Sequence, residues 1–307
     1  MLVSWRFLLK EMQSTVMTIF SVEHVTRYSY RNPILPGVHR LMFRPRDSFD
    51  QRLLESSLVV TPTPVDVRWI HDVFGNCITL VEFEGLTKSL SFETQLRIDH
   101  RPEESPNFTI EDYARNHPFA YADEELPDLV RYMQRHHADD DSVQRWLGTV
   151  MDMEANKPTG KLLMTLNEAI RDGFAYNRRT VVGTRTPRET IAQQEGTCRD
   201  FALLMMEAAR QLGFAARFVT GYVYIPDRDQ STRLGGGSTH AWCQIYLPGS
   251  GWAEFDPTNG IVGNRDLIRV GVARTPRQAT PLWGSYYGSP DDEIGMEVSV
   301  QVRADRP

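Results

Sequence analysis

The chain reads as an α+β protein, an all-β sandwich followed by a core in which one helix packs on an antiparallel sheet. Three observations carry that reading. Apolar residues alternate with a period of two from Phe20 to about Arg101, and the spacing turns helical from Thr109 to about Asp172. The period of two then returns after Gly213, behind a capped amphipathic helix.

In the first region Leu90, Phe92, Thr94, Leu96 and Ile98 alternate with Ser89, Ser91, Glu93, Gln95 and Arg97. That is an antiparallel strand with one buried and one wet face. Phe20, Val22, Tyr28 and Tyr30 alternate in the same way. Turn residues at Asn32-Pro33, Arg44-Pro45-Arg46-Asp47, Thr61-Pro62-Thr63-Pro64 and Phe74-Gly75-Asn76 punctuate the strands, which predicts a β-sandwich over residues 17–105. Residues 102–108 read as the linker. Leu129, Val130 and Met133, then Val143, Trp146, Leu147 and Val150, mark a helical connector over 106–160. Leu162, Leu163, Leu166 and Ile170 open the core, residues 161–264, with another amphipathic face.

Thr186-Pro187-Arg188-Glu189 is a helix start: an N-cap threonine, a proline at the first helical position and a glutamate at the third. That helix ends near Gln194, Glu195-Gly196-Thr197 turns the chain, and a second helix begins at or beside Cys198. Phe201, Ala202, Met205, Ala208 and Leu212 form its buried face, and Gly213 caps its end. Strands are expected at 214–225, 239–247 and 252–256. A last one, with Met296, Val298, Val300 and Val302 on one face, lies in the tail 265–307. Residues 1–16 read as an extension, non-native or disordered, with Met17 as the start. Residues 226–238 are the loosest segment, either a lid or a flexible connection.

Of the 307 residues 41% are hydrophobic, enough for a sizeable core. Lys and Arg number 34 against 40 Asp and Glu, a formal charge of −6, so no surplus of positive charge is present to hold nucleic acid. The longest apolar runs fall well short of the roughly 18–20 residues that span a bilayer, so no membrane partner is expected. Cys77, Cys198 and Cys243 have no C-x-x-C spacing. That argues against a disulfide framework or a zinc ribbon and fits a reducing, cytoplasmic setting. No cofactor or metal is expected.

A thiol becomes a good nucleophile when a helix N-terminus and an imidazole favour its anion. Cys198 has the first condition by its place in the sequence. His240 is the only histidine after residue 137, and it opens a strand. A hairpin turning at 248–250 brings it level with roughly residues 256–260, near Asp256, which could fix the tautomer of the ring. Cys243, three residues from His240 on a strand, should face the other way. Cys77, beside the Gly75-Asn76 turn, reads as packing. His136-His137, in a polar helical stretch with Asp139, Asp140 and Asp141, reads as a solvated face. Trp242 and Trp252 read as core, with lining of an acyl-donor cleft as the alternative, and Asp200 reads as local structure.

Four segments in order resemble the core of the bacterial transglutaminase-like superfamily over about residues 161–262. They are Glu195-Gly196-Thr197-Cys198-Arg199-Asp200-Phe201-Ala202, Ala215 to Tyr222, Thr239-His240-Ala241-Trp242, and Gly251-Trp252 with Asp256-Pro257-Thr258. The first domain and the tail resemble the flanking regions of its bacterial members. The resemblance implies a papain-like arrangement with Cys198 as nucleophile, His240 as general base and acid, and Asp256 as orienter. The expected chemistry is cleavage of a peptide or isopeptide amide in a peptide or protein substrate, through a thioester on Cys198. Transfer of glutamine acyl groups to amines and non-catalytic peptide binding are the alternatives. The Cys198 backbone N–H is one expected oxyanion donor. Tyr176 is a candidate for the second, with a packed strand aromatic as its alternative reading, and Gln193 or Gln194 are others.

Overall fold

The computed structural model describes residues 18–102, 108–138, 141–152, 156–179, 183–226 and 237–305. The expected extension at 1–16, most of the 102–108 linker and of the 226–238 segment, and Asp139-Asp140 lie outside the described residues.

Five strands come first: β1 (Thr18–Leu41), β2 (Gln51–Thr61), β3 (Asp66–His71), β4 (Cys77–Glu82) and β5 (Thr87–His100). A short pair, β6 (Asn116–His117) and β7 (Lys157–Pro158), brackets α1 (Leu126–Met133) and α2 (Ser142–Val150). Then come α3 (Thr159–Gly173), β8 (Ala175–Tyr176), α4 (Pro187–Gln193), β9 (Glu195–Gly196) and α5 (Cys198–Gln211). The chain closes with β10 (Ala216–Val223), β11 (His240–Leu247), β12 (Gly251–Asp256), β13 (Ile261–Val262), β14 (Leu267–Ala273), β15 (Leu282–Tyr287) and β16 (Glu293–Asp305).

β1 is the spine of the sandwich. Its first half pairs antiparallel with β5 and β16, and its second half with β4 and β15. The sequence placed a turn at Asn32-Pro33, but the strand runs on through both Pro33 and Pro36. The prolines are tolerated because ladder register breaks there: pairing with β5 skips from Ser29 to Ile34, and pairing with β15 shifts between Pro36 and His39. The bend lets one strand join both halves of a curled seven-stranded sheet, which closes over Tyr30, Ile34, Leu41, Phe43, Val81, Leu90 and Phe92. On β5 the alternating residues Leu90, Phe92, Thr94, Leu96 and Ile98 are all buried, as the period of two requires.

The core sheet runs β13-β12-β11-β10-β14. α5 lies on one face, pressing Phe201, Ala202, Met205 and Ala208 against Phe218, Cys243, Ile245 and Phe255. It ends at Gly213, whose φ of +89° is the left-handed geometry expected of a C-terminal cap. Phe20, Val22, Leu96 and Ile98 of the sandwich pack directly on Tyr222, Ile268 and Val270 of the core, so the two parts share apolar surface.

The connector is less helical than expected: α1 and α2 are the only α-helices wholly within it among the described residues, and β6 and β7 flank them. Residues 134–138 are not helical; they link α1 to α2. The backbone N–H groups of His136 and His137 donate to Glu207, a fully buried carboxylate on α5, at 3.1 and 3.2 Å. Arg210 neutralises that carboxylate at 2.8 Å. A buried charge needs such partners, and it takes them from main chain that helical geometry would have used.

Candidate active site

Thr197 is the N-cap of α5: its hydroxyl accepts the Asp200 N–H, and Asp200 returns the bond to the Thr197 N–H at 2.9 Å. Cys198 is therefore the first residue of the helix. It is buried but keeps 7% of its surface. Its N–H has no acceptor among the described residues, as first-turn amides generally do not within a helix.

Asp200 does more than the local role read from the sequence. Its buried carboxylate also receives both guanidinium nitrogens of Arg179, at 2.9 and 3.1 Å, and the Arg185 N–H at 2.6 Å. Residues following β8 and preceding α4 are thereby tied to the helix start. β8 and β9 pair in parallel, Tyr176 level with Gly196, which places Tyr176 beside Cys198. Burial raises the tyrosine's pKa, as does charge on Cys198, while a hydrogen bond from Arg178 works the other way. Tyr176 also packs edge-on to Phe201, as its reading as a packed aromatic expects. Gln193 and Gln194 are exposed, and the Gln194 carbonyl is taken by the Ala175 N–H.

His240 stands at the start of β11 and Asp256 at the end of β12. Cys243 pairs with Phe255 between these strands, which carries His240 past the level of Asp256 and lets the ring lean back onto it. His240 Nε2 lies 2.8 Å from Asp256 Oδ2, and both side chains are wholly buried. Asp256 is held from its other sides by Asn259 Nδ2 at 2.8 Å and the Thr258 N–H at 3.0 Å. Burial alone would push the carboxyl up; His240 and these donors hold it below its ordinary value. For His240 burial likewise opposes charge, but Asp256 and then Cys198 override it and raise the imidazole to about 10. Nδ1, the nitrogen not used by Asp256, is buried with no well-aligned hydrogen-bond partner among the described residues, and Cys198 lies within interaction range of the ring.

The remaining expectations sort cleanly by position. Cys243 points away from the site, its thiol donating to the Phe255 carbonyl at 3.6 Å inside the α5 core. Cys77 opens β4 in the sandwich. Trp252 is at the far end of β12, packed on Tyr132 and Tyr246 beneath the Arg217 guanidinium, 4.1 Å from its ring centre. It takes no part in the site. Trp242 stacks on His240, centroids 5.9 Å apart.

Two family models match the chain: a bacterial transglutaminase-like N-terminal region over residues 20–99, and the transglutaminase-like superfamily core over residues 149–257. The chain belongs to the transglutaminase-like superfamily. At family level that match supports a cysteine-based enzyme. Among curated proteins it is similar to the Mycobacterium tuberculosis protein Rv2569c, 24% identical over 92% of each chain. It is also 23% identical to the Mycobacterium leprae protein ML0607, over 91% of this chain and 97% of that one. A solved Cytophaga hutchinsonii structure, named "Putative Cysteine Protease", shares the fold with a TM-score of 0.72 at 18% identity. That match covers 95% of this chain and 92% of the other, so the sandwich and the transglutaminase-like core recur together.

Two features of the site escaped the sequence reading. Asn259 follows Asp256 by three residues, and an aspartate opening a turn commonly collects donors there. The Arg179–Asp200 pair spans 21 positions and has no spacing signature.

Proposed function

We propose that the chain is a thiol amide hydrolase that cleaves peptide or isopeptide bonds through an acyl-thioester on Cys198. The observation that carries this reading is the buried His240–Asp256 pair, 2.8 Å apart, with its free ring nitrogen available to Cys198 at the start of α5. A raised imidazole pKa favours an ion pair with the thiol, in which the thiolate is the nucleophile.

The sulfur attacks the amide carbonyl carbon and a C–S bond forms. The Cys198 N–H, unused within the helix, meets the developing oxyanion, and the Tyr176 hydroxyl is the second donor. His240 hands its proton to the departing nitrogen as the C–N bond breaks, leaving the thioester. Water then loses a proton to His240, attacks the same carbon, and expels the thiolate with the acid as product. Asp256 keeps the ring oriented and stabilises its charged form through both halves. A reducing, cytoplasmic setting belongs to the same proposal, since all three cysteines are free.

The test compares native protein with Cys198→Ala on a peptide-amide library, alongside a glutamine-containing peptide with a labelled primary amine. Turnover by native protein only, with ammonia release outrunning label incorporation, is the expected result. Incorporation that outruns release would make transamidation the reaction. No turnover in either assay, with Cys198 reacting with iodoacetamide no faster than a free thiol, would overturn the enzymatic reading.

A further inference from the structure

His240 and Trp242 leave β11 on one face of the sheet, and Asp256 and Glu254 leave β12 on the same face. Each ring gives an N–H to a carboxylate on the neighbouring strand, diagonal to it in the register: His240 to Asp256, and Trp242 to Glu254. The second pair lies directly behind the first, since the indole stacks on the imidazole at 27° between planes. Backbone makes room for this indole at Gly221, where an added Cβ would meet the Ile268 carbonyl at 2.0 Å and Trp242 at 2.8 Å.

Glu254 is a buried acid, and its charge is met from several sides. Gln244 Nε2 and Arg269 Nη1 donate to it, each at 2.6 Å. Arg217 approaches Gln244 Oε1 at 2.7 Å. Arg269 in turn reaches out of the core sheet into the sandwich. Its Nη2 meets Asp50 Oδ1 at 3.2 Å and Ser48 Oγ at 3.2 Å, while Gln51 brackets the Arg269 main chain at 2.8 and 3.0 Å. Asn264 holds the other Asp50 oxygen at 2.6 Å. Burial opposes the Asp50 charge, but Arg269 keeps the carboxyl below its ordinary range.

We propose that Asp50, Arg269 and Glu254 are positioning residues through which the sandwich domain sets the orientation of Trp242 and, through it, of the His240 ring. The proposal rests on the reading of Cys198 and His240 as a reactive pair. Trp242 cannot rotate without leaving Glu254 with an unmatched lone pair, and Glu254 cannot follow without breaking Arg269 away from Asp50. Such a buried polar chain costs free energy when any one link is lost. A ring face within about 6 Å of an imidazolium also favours its charged form, so the angle of the indole matters to the proton on His240.

The experiment uses the full chain and needs no substrate. Iodoacetamide alkylation of Cys198 is followed by mass spectrometry across the pH range in which thiols titrate. Native protein is compared with Asp50→Asn, Glu254→Gln, Glu254→Asp and Tyr222→Phe. Asp50→Asn and Glu254→Gln should slow alkylation about 2- to 30-fold and displace its pH profile. Glu254→Asp, which restores the charge, should recover part of the rate. Tyr222→Phe weakens the same domain interface away from the relay and should lower thermal stability while leaving the profile in place. A native-like profile in both Asp50→Asn and Glu254→Gln overturns the proposal, and so does an equal displacement in Tyr222→Phe. If native Cys198 itself reacts like a free thiol, the failure lies in the reading of the reactive pair instead.

Discussion

His24 and His240 are buried to the same depth, each with 1% of its surface exposed, yet they are opposite in electrostatic character. His24 sits where the sandwich meets the core, its Nδ1 3.0 Å from the Tyr222 hydroxyl and its Nε2 3.0 Å from Thr26 Oγ1. Both partners are neutral, nothing offsets desolvation, and its pKa falls to about 4. His240 suffers the same burial but has Asp256 at 2.8 Å, and its pKa rises to about 10. A structural histidine and a candidate catalytic one thus differ by their neighbours, Asp256 foremost and then Cys198. Depth says nothing about role; the charge of the neighbour does.

The strongest way to break the contrast is Asp256→Asn, which makes the surroundings of His240 as neutral as those of His24. Amide turnover should drop about 10⁴-fold, the scale seen when a triad acid loses its charge, and Cys198 alkylation at neutral pH should slow with it. Retained turnover would mean that the carboxylate is not what separates the two histidines.

Each histidine region also contains a tyrosine, and the two should behave differently. Tyr176→Phe is expected to cost about 10²–10³-fold in turnover with little change in unfolding, as loss of an oxyanion donor does. Less than a threefold loss would leave Tyr176 as packing alone. Tyr222→Phe should do the reverse. It orphans a buried His24 nitrogen at a cost of about 1–3 kcal/mol in denaturant unfolding, with turnover intact.

The smallest effect is the pH dependence of stability, and its two limbs have opposite signs. The folded pKa of His24 lies below its ordinary 6.5, so its contribution is complete above that pH and is lost as pH falls toward 4. The folded pKa of His240 lies above 6.5, so its contribution is complete below that pH and is lost as pH rises through about 10. Calorimetry should show a Tm drop of roughly 2–4 °C from neutral pH to about pH 5 that His24→Gln flattens. The alkaline limb should flatten in Asp256→Asn.

What could be read in the sequence was whatever has a local signature. The capping residues Thr186 and Gly213, the alternation on β5 and the hairpin that brings His240 near Asp256 each lie within a window of a few turns or two strands. The contacts that tune the site do not. Arg179 reaches Asp200 across 21 positions, Arg269 reaches Asp50 across 219, and Glu207 is enclosed by main chain from 71 positions away. No periodicity records such a meeting, because each partner taken alone looks like an ordinary surface charge. The β1 strand shows the converse: Pro33 carries a strong local turn signal, and tertiary pairing on both sides of the bend overrides it.

One pairing has a practical corollary for anyone dividing the molecule. β16 lies against β1 over twelve rungs, from Ile19 opposite Asp305 to Tyr30 opposite Glu293, with a register shift before the last. A fragment cut after the first hundred residues would carry a raw, sticky seam along half its spine. During synthesis that seam stays open until β16 has left the ribosome. Adding residues 282–305 in trans, as a separate peptide, should close it.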